Sequence, residues 1–231
     1  MTALTRNTLA LIAALALAGP AVAHAQTTVV DEGTFRLHIR DTPVGTETFT
    51  IRRSGSGAGA ATAAQGRVVL DSGERTRSLL RLEGPDLRPA AYQIEVTGPE
   101  TQSVTGQAAG NRFRATIVSA AGEQMREFLV SDGAVILGEG VAHPHYFLLS
   151  ATNGDGSVPV VIPQRSRQVT AQVTSLGNDQ IRVGRQSVDA RRFRVEPEGL
   201  PTRIVWADAR NRVLRVDIPD QEFRAIRTSL P

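Results

Sequence analysis

The sequence contains no cysteine and no lysine. Without cysteine the chain forms no disulfide, offers no thiolate to a metal or an electrophile, and carries no thiol on which a lipid anchor is built. All 26 basic residues are therefore arginine, which removes Schiff-base chemistry and a lysine general base, because a guanidinium keeps its proton. Aromatic side chains are equally scarce, with seven Phe, two Tyr and one Trp. A nucleic-acid surface gathers its arginines on one face and interleaves them with aromatics; here the arginines are scattered one or two per segment, so no nucleic-acid partner is expected. Catalytic signatures are missing as well. There is no G-x-S-x-G elbow, Ser150 has no positioned base or oxyanion loop beside it, and Asn153 to Gly156 matches only the start of a calcium loop and lacks its bidentate glutamate.

Long hydrophobic runs are confined to the first 25 residues. Arg6 supplies a positive start, Leu9 to Ala18 a short apolar core, Gly19-Pro20 a break, and Ala21-Val22-Ala23 or Ala23-His24-Ala25 a small-residue cleavage site. A bilayer span needs ~20 apolar residues, so no transmembrane segment is expected and residues 1–25 read as a cleaved signal peptide. Residues 26–231 then form a single β-rich domain. The periplasm is the expected location, with secretion as the alternative. Removing Arg6 leaves 25 arginines against 23 acidic residues, a charge near +2, too small for an electrostatic partner to be inferred from charge alone.

What the sequence does have is period-two alternation, over and over. Thr202 to Ile218 (TRIVWADARNRVLRVDI) predicts a β-hairpin closed by Asp208-Ala209-Arg210-Asn211, since aspartate accepts hydrogen bonds from turn amides and asparagine tolerates positive φ. That closure sets Trp206 opposite Leu214, Ile204 opposite Val216 and Arg203 opposite Asp217. Thr34 to Arg40 and Thr46 to Arg52 predict a second hairpin around Thr42-Pro43-Val44-Gly45, with Ile39 facing Phe49 and Leu37 facing Ile51. Between the two, short alternating segments from Gln65 to Val130 and from Gln168 to Val195 are punctuated by glycine-containing turns, Ser54 to Ala64 reads as a low-complexity mobile loop, and Phe223 to Arg227 as a final edge strand. The rhythm breaks only at Gly138 to Pro163, where Tyr146 to Leu149 is too compact an apolar cluster for a strand and predicts a short helix or crossover. The fold class that follows is all-β: an antiparallel meander forming a strongly bent sheet or partial β-barrel, with that helix or crossover over its concave face.

Two constellations carry possible chemistry. In His143-Pro144-His145 an extended backbone would point both imidazoles the same way, with Glu139 or Asp132 as a third metal ligand; the spacing is unspecific, so no metal and no cofactor are assigned. The apolar stripe of Leu37, Phe49, Tyr146, Phe147, Leu149, Trp206 and Leu214 is either plain core or the wall of a pocket at the mouth of the curved sheet. As the sole tryptophan, Trp206 would report on such a pocket by fluorescence.

The hairpin from Gly33 to Ile51, the segment His145 to Leu149 followed by Val160 to Pro163, and the hairpin from Ile204 to Pro219 resemble uncharacterised periplasmic β-rich families of unknown function. Those families are similar in shape to the lipoprotein carriers of the outer-membrane sorting system, a bent antiparallel sheet around a helical plug. The resemblance implies a half-barrel with an apolar concave face and carries no catalytic residue. The expected function is therefore an exported, non-catalytic protein that binds or shields a hydrophobic small molecule, lipid or acyl chain. The alternatives are an interaction module for another cell-envelope protein and a metal-dependent enzyme using His143 and His145.

Overall fold

A computed structural model describes residues 27–130 and 133–230. Its first part is an up-and-down meander: β1 (Thr27–Ile39), β2 (Thr42–Ser54), β3 (Ala61–Leu70), β4 (Arg75–Glu83), β5 (Arg88–Thr97), β6 (Gln102–Ala109), β7 (Arg112–Ser119) and β8 (Gly122–Leu129). After the two-residue β9 (Val135–Ile136) comes the helix α1 (His145–Thr152). The remaining strands are β10 (Gly156–Ile162), β11 (Arg167–Val183), β12 (Gln186–Pro197), β13 (Arg203–Ala207), β14 (Val213–Ile218) and β15 (Phe223–Arg227).

All fifteen strands belong to one sheet in the order β8-β7-β6-β5-β4-β3-β2-β1-β15-β14-β13-β12-β11-β10-β9. Every neighbouring pair is antiparallel except β9 with β10. The edges are β8 and β9, so Phe223 to Arg227 is not the edge strand the sequence suggested. It lies mid-sheet between β1 and β14, because Ala225 and Arg227 point into the core and need cover on both sides. The predicted all-β meander and bent open sheet are present, and the sheet does not close into a barrel.

Side chains hold the curl where the ladder stops. β9 packs against β5, and the single turn of 3-10 helix at Pro163–Arg165 packs against β6 and β7. In that turn the Gln164 carboxamide oxygen accepts from the Tyr92 hydroxyl at 3.3 Å and from the Glu139 amide at 3.0 Å, while its carbonyl accepts from Gln102 Nε2 at 3.1 Å. Burial pushes the Tyr92 hydroxyl well above the usual phenol range, so it remains a donor. At the β8 edge the Gln168 side chain donates to the Leu129 carbonyl at 2.6 Å and accepts from the Leu129 amide at 3.0 Å, standing in for a missing strand.

Both hairpins depart from the sequence-based register, the early one through a displaced turn and the late one through a bulge. In the early one the turn is Arg40-Asp41, with Arg40 at φ 56, and Pro43 sits inside β2. Phe49 therefore faces Gly33 and Ile51 faces Asp31, while Ile39 is left exposed. In the late one the loop chemistry is as expected: Asp208 Oδ1 accepts from the Arg210 and Arg212 amides, and Asn211 has φ 63. A bulge between Trp206 and Ala207 then shifts the pairing to Trp206 with Arg215 and Ile204 with Asp217. Asp217 pairs with Arg215 and Arg224 rather than with Arg203. The Ser54 to Ala64 segment is also more ordered than expected, since only a 3-10 turn at Gly57–Gly59 interrupts it and Ala61–Ala64 continue into β3.

Candidate functional site

The inner face of the sheet gathers Leu37, Phe49, Phe147 and Leu149 into one core, with Tyr146 half-buried against it. Phe35 and Phe49 stack with ring centroids 5.2 Å apart, and Tyr146 meets Phe147 edge-on at 5.2 Å. Trp206 and Leu214 are not in this core. The bulge turns them to the opposite face, where they pack on Ile181, Val183 and Ala190 at the far end of β11 and β12. The seven apolar candidates thus divide five to two between the faces, and a pocket walled by both groups does not exist. For the same reason Trp206 is no reporter for the inner side.

The two histidines part company as well. Pro144 has helical φ and ψ and α1 begins at His145, so the segment is not extended. Both rings are buried, at 2% and 3% exposure. His143 Nδ1 lies 2.6 Å from Glu47 Oε1, and the same carboxylate accepts from the His143 amide at 3.1 Å and the Ala142 amide at 2.6 Å. Glu47 is fully buried. Two amide donors and the imidazole nitrogen together satisfy a carboxyl group that would otherwise be costly to bury. Gly66 leaves room for the imidazole, since a Cβ there would sit 2.5 Å from His143 Cε1. His145 Nδ1 lies 2.8 Å from the Ala142 carbonyl. Glu139 is engaged by Arg165, and Asp132 lies outside the described residues. Among the described residues, no group of three or more His, Asp or Glu side chains is placed to hold a metal ion.

An apolar cavity of about 330 Å³ opens beside α1. Leu80 and Leu82 of β4, Val135 and Ile136 of β9, Phe147 of α1 and Leu87 of the β4–β5 turn form its walls. Leu87 has φ 54, a left-handed backbone that costs a leucine roughly 1–2 kcal/mol, and it is held there with its side chain packed on the core. Ser150 and Ala151 stand at the mouth with Asp86. Of the sequence candidates only Phe147 lines this cavity; Leu37, Phe49 and Leu149 fill the core, at 1%, 5% and 0% exposure. Leu80 and Leu82 lie in one of the alternating segments that the sequence predicts as strands, but nothing local in the sequence brought them to α1.

No family model matches the sequence, and no curated protein matches it. Among solved structures, the chain is similar to a β-barrel-like protein of the domain of unknown function DUF1849 from Brucella abortus. The two share 11% sequence identity over 85% of this chain and 94% of that one, with a TM-score of 0.49. The likeness is one of β-rich architecture, and no residue of the cavity carries over from it.

Proposed function

We propose that this is an exported, periplasmic, non-catalytic binding protein that holds a small hydrophobic molecule or a single short acyl chain in the cavity beside α1. The observation that carries the reading is the cavity itself, a concave apolar space at the low end of the roughly 300–1,000 Å³ typical of small-molecule sites. Six apolar side chains from two strands, the helix and a turn converge on it. Ser150 and Asp86 at the mouth suit a ligand with one polar end facing water.

The test is displacement of a dansyl-labelled undecanoic acid by octanoate and decanoate. Ala151 is exposed on the last turn of α1, so Ala151→Trp blocks the mouth without entering the core. Binding should weaken at least ten-fold in that variant while its thermal midpoint stays at the wild-type value. Failure of the wild-type protein to bind the probe, or equal binding by the variant, would overturn the proposal.

A further inference from the structure

A second cavity, of about 90 Å³, lies between the Gly138 to Ala142 loop, the start of α1 and strands β13 to β15. It shares no lining residue with the apolar cavity, and its chemistry is different. His145, Arg203, Arg165, Glu139 and Gln221 face it.

His145 sets the acceptor. Its Nδ1 is 2.8 Å from the Ala142 carbonyl, and a carbonyl only accepts, so Nδ1 carries the proton and Nε2 presents a lone pair. That Nε2 is fully enclosed and has no hydrogen-bond partner among the described residues, which in a native interior calls for an explanation. Burial, together with the charge of Arg203, holds the imidazole pKa at about 3, so the ring is a neutral acceptor at ordinary pH. Arg203 sets the charge. It donates through Nη1 to the Pro201 carbonyl at 3.0 Å and forms no ion pair among the described residues, whereas Arg165 beside it is committed to Glu139. Burial draws the Arg203 pKa down from the usual guanidinium range, the neighbouring Arg165 adds to this, and the Glu139 carboxylate offsets it only in part.

We propose that this cavity binds a compact anion that also carries an O–H or N–H donor, with the anion on the Arg203 guanidinium and the donor on His145 Nε2. A small α-hydroxy carboxylate and a protonated phosphate share that chemistry. At ~30 Å³ per water the space takes about three waters, which limits the ligand to a few heavy atoms and excludes the acyl chain proposed for the other cavity. A metal cation is disfavoured by the two arginines that line the site.

The experiment is calorimetric titration of the purified protein with glycolate, acetate, inorganic phosphate and zinc chloride. Glycolate or phosphate should bind, with acetate at least ten-fold weaker because it leaves Nε2 unpaired. Arg203→Gln should abolish binding, and His145→Phe should reduce glycolate to the acetate level. Gln221 is exposed at the rim, so Gln221→Glu should weaken binding several-fold by repulsion with no change in thermal midpoint, which keeps the test open if Arg203→Gln does not fold. The proposal is overturned by no heat from glycolate and phosphate at millimolar concentration, by acetate binding as tightly as glycolate, by Gln221→Glu binding as the wild type does, or by zinc binding that depends on His145.

Discussion

The β13–β14 ribbon buries apolar side chains on both of its faces, and the two sides handle charge in opposite ways. Inward, Val205, Ala207, Val213 and Val216 join a core that also encloses two polar pairs, the hydrogen-bonded Glu47 and His143 and the ion pair of Asp31 with Arg227. Outward, Trp206 and Leu214 form a small cluster whose charges stay at its margin. Trp206 Nε1 donates to Asp179 at 2.9 Å, and the Arg215 guanidinium lies 4.6 Å from the indole centroid while pairing with Asp217. Inside, each polar pair is hydrogen-bonded and a glycine makes space for it. Arg227 makes a bidentate contact with Asp31 at 2.8 and 3.0 Å, donates to the Val213 carbonyl at 3.3 Å, and lies 5.3 Å from the Phe49 ring centroid. A Cβ on Gly33 would stand 2.8 Å from its Nη2. The difference teaches that the inner charges are structural members, while the outer ones only adjust a contact that packing already secures.

The sharpest way to break that contrast is Arg227→Leu. Removing one partner of a buried pair strands the other, so the loss should be roughly 3–5 kcal/mol, read as a lower denaturant midpoint. A loss below ~1 kcal/mol would place Arg227 with the outer charges. Next in size is the response to acid. Unfolded His145 titrates near 6.5 and the folded group at about 3, so between those values the unfolded chain binds the extra proton. The His145 contribution is complete above pH 6.5 and is lost as the pH falls toward 3, at up to ~1.4 kcal/mol per pH unit. His145→Phe should flatten this part of the stability profile, and superimposable profiles would remove His145 from the account. The smallest effect is expected outside. Arg215→Ala should cost about 0.5–1 kcal/mol and shift Trp206 emission, and a loss as large as that of Arg227→Leu would erase the distinction between the faces.

Local chemistry was legible in the sequence where it acts locally. Asp208 and Asn211 close their loop as their side chains dictate, and Tyr146 to Leu149 sit on the helix that their crowding demands. Register was not legible in the late hairpin for a physical reason. Val205 and Trp206 are both apolar, as are Val213 and Leu214, so a one-residue bulge exchanges one apolar pair for another and leaves no trace in the pattern. Glu47 stands on a strand that alternation predicts, but its partner lies 96 residues away on a loop, and period two says nothing about such distances. The apolar cavity was hidden likewise. Leu82 lies in one alternating segment among many, far in sequence from Phe147, and only the curl of the sheet makes them neighbours.

The pairing of β1 with β15 has a consequence for how the chain comes to be folded. The first described strand stands beside the last, Phe35 against Arg227, so the middle of the sheet is a seam between strands far apart in the sequence. The meander from β1 to β8 can assemble by neighbour-to-neighbour steps, whereas the seam closes a loop of nearly the whole described chain and bears the entropy of that closure. Until Phe223–Arg227 has emerged, β1 keeps an unpaired border and Asp31 lacks the arginine that neutralises it. The middle of the sheet therefore waits on Phe223–Arg227, and a chain lacking that strand retains an adhesive border on β1.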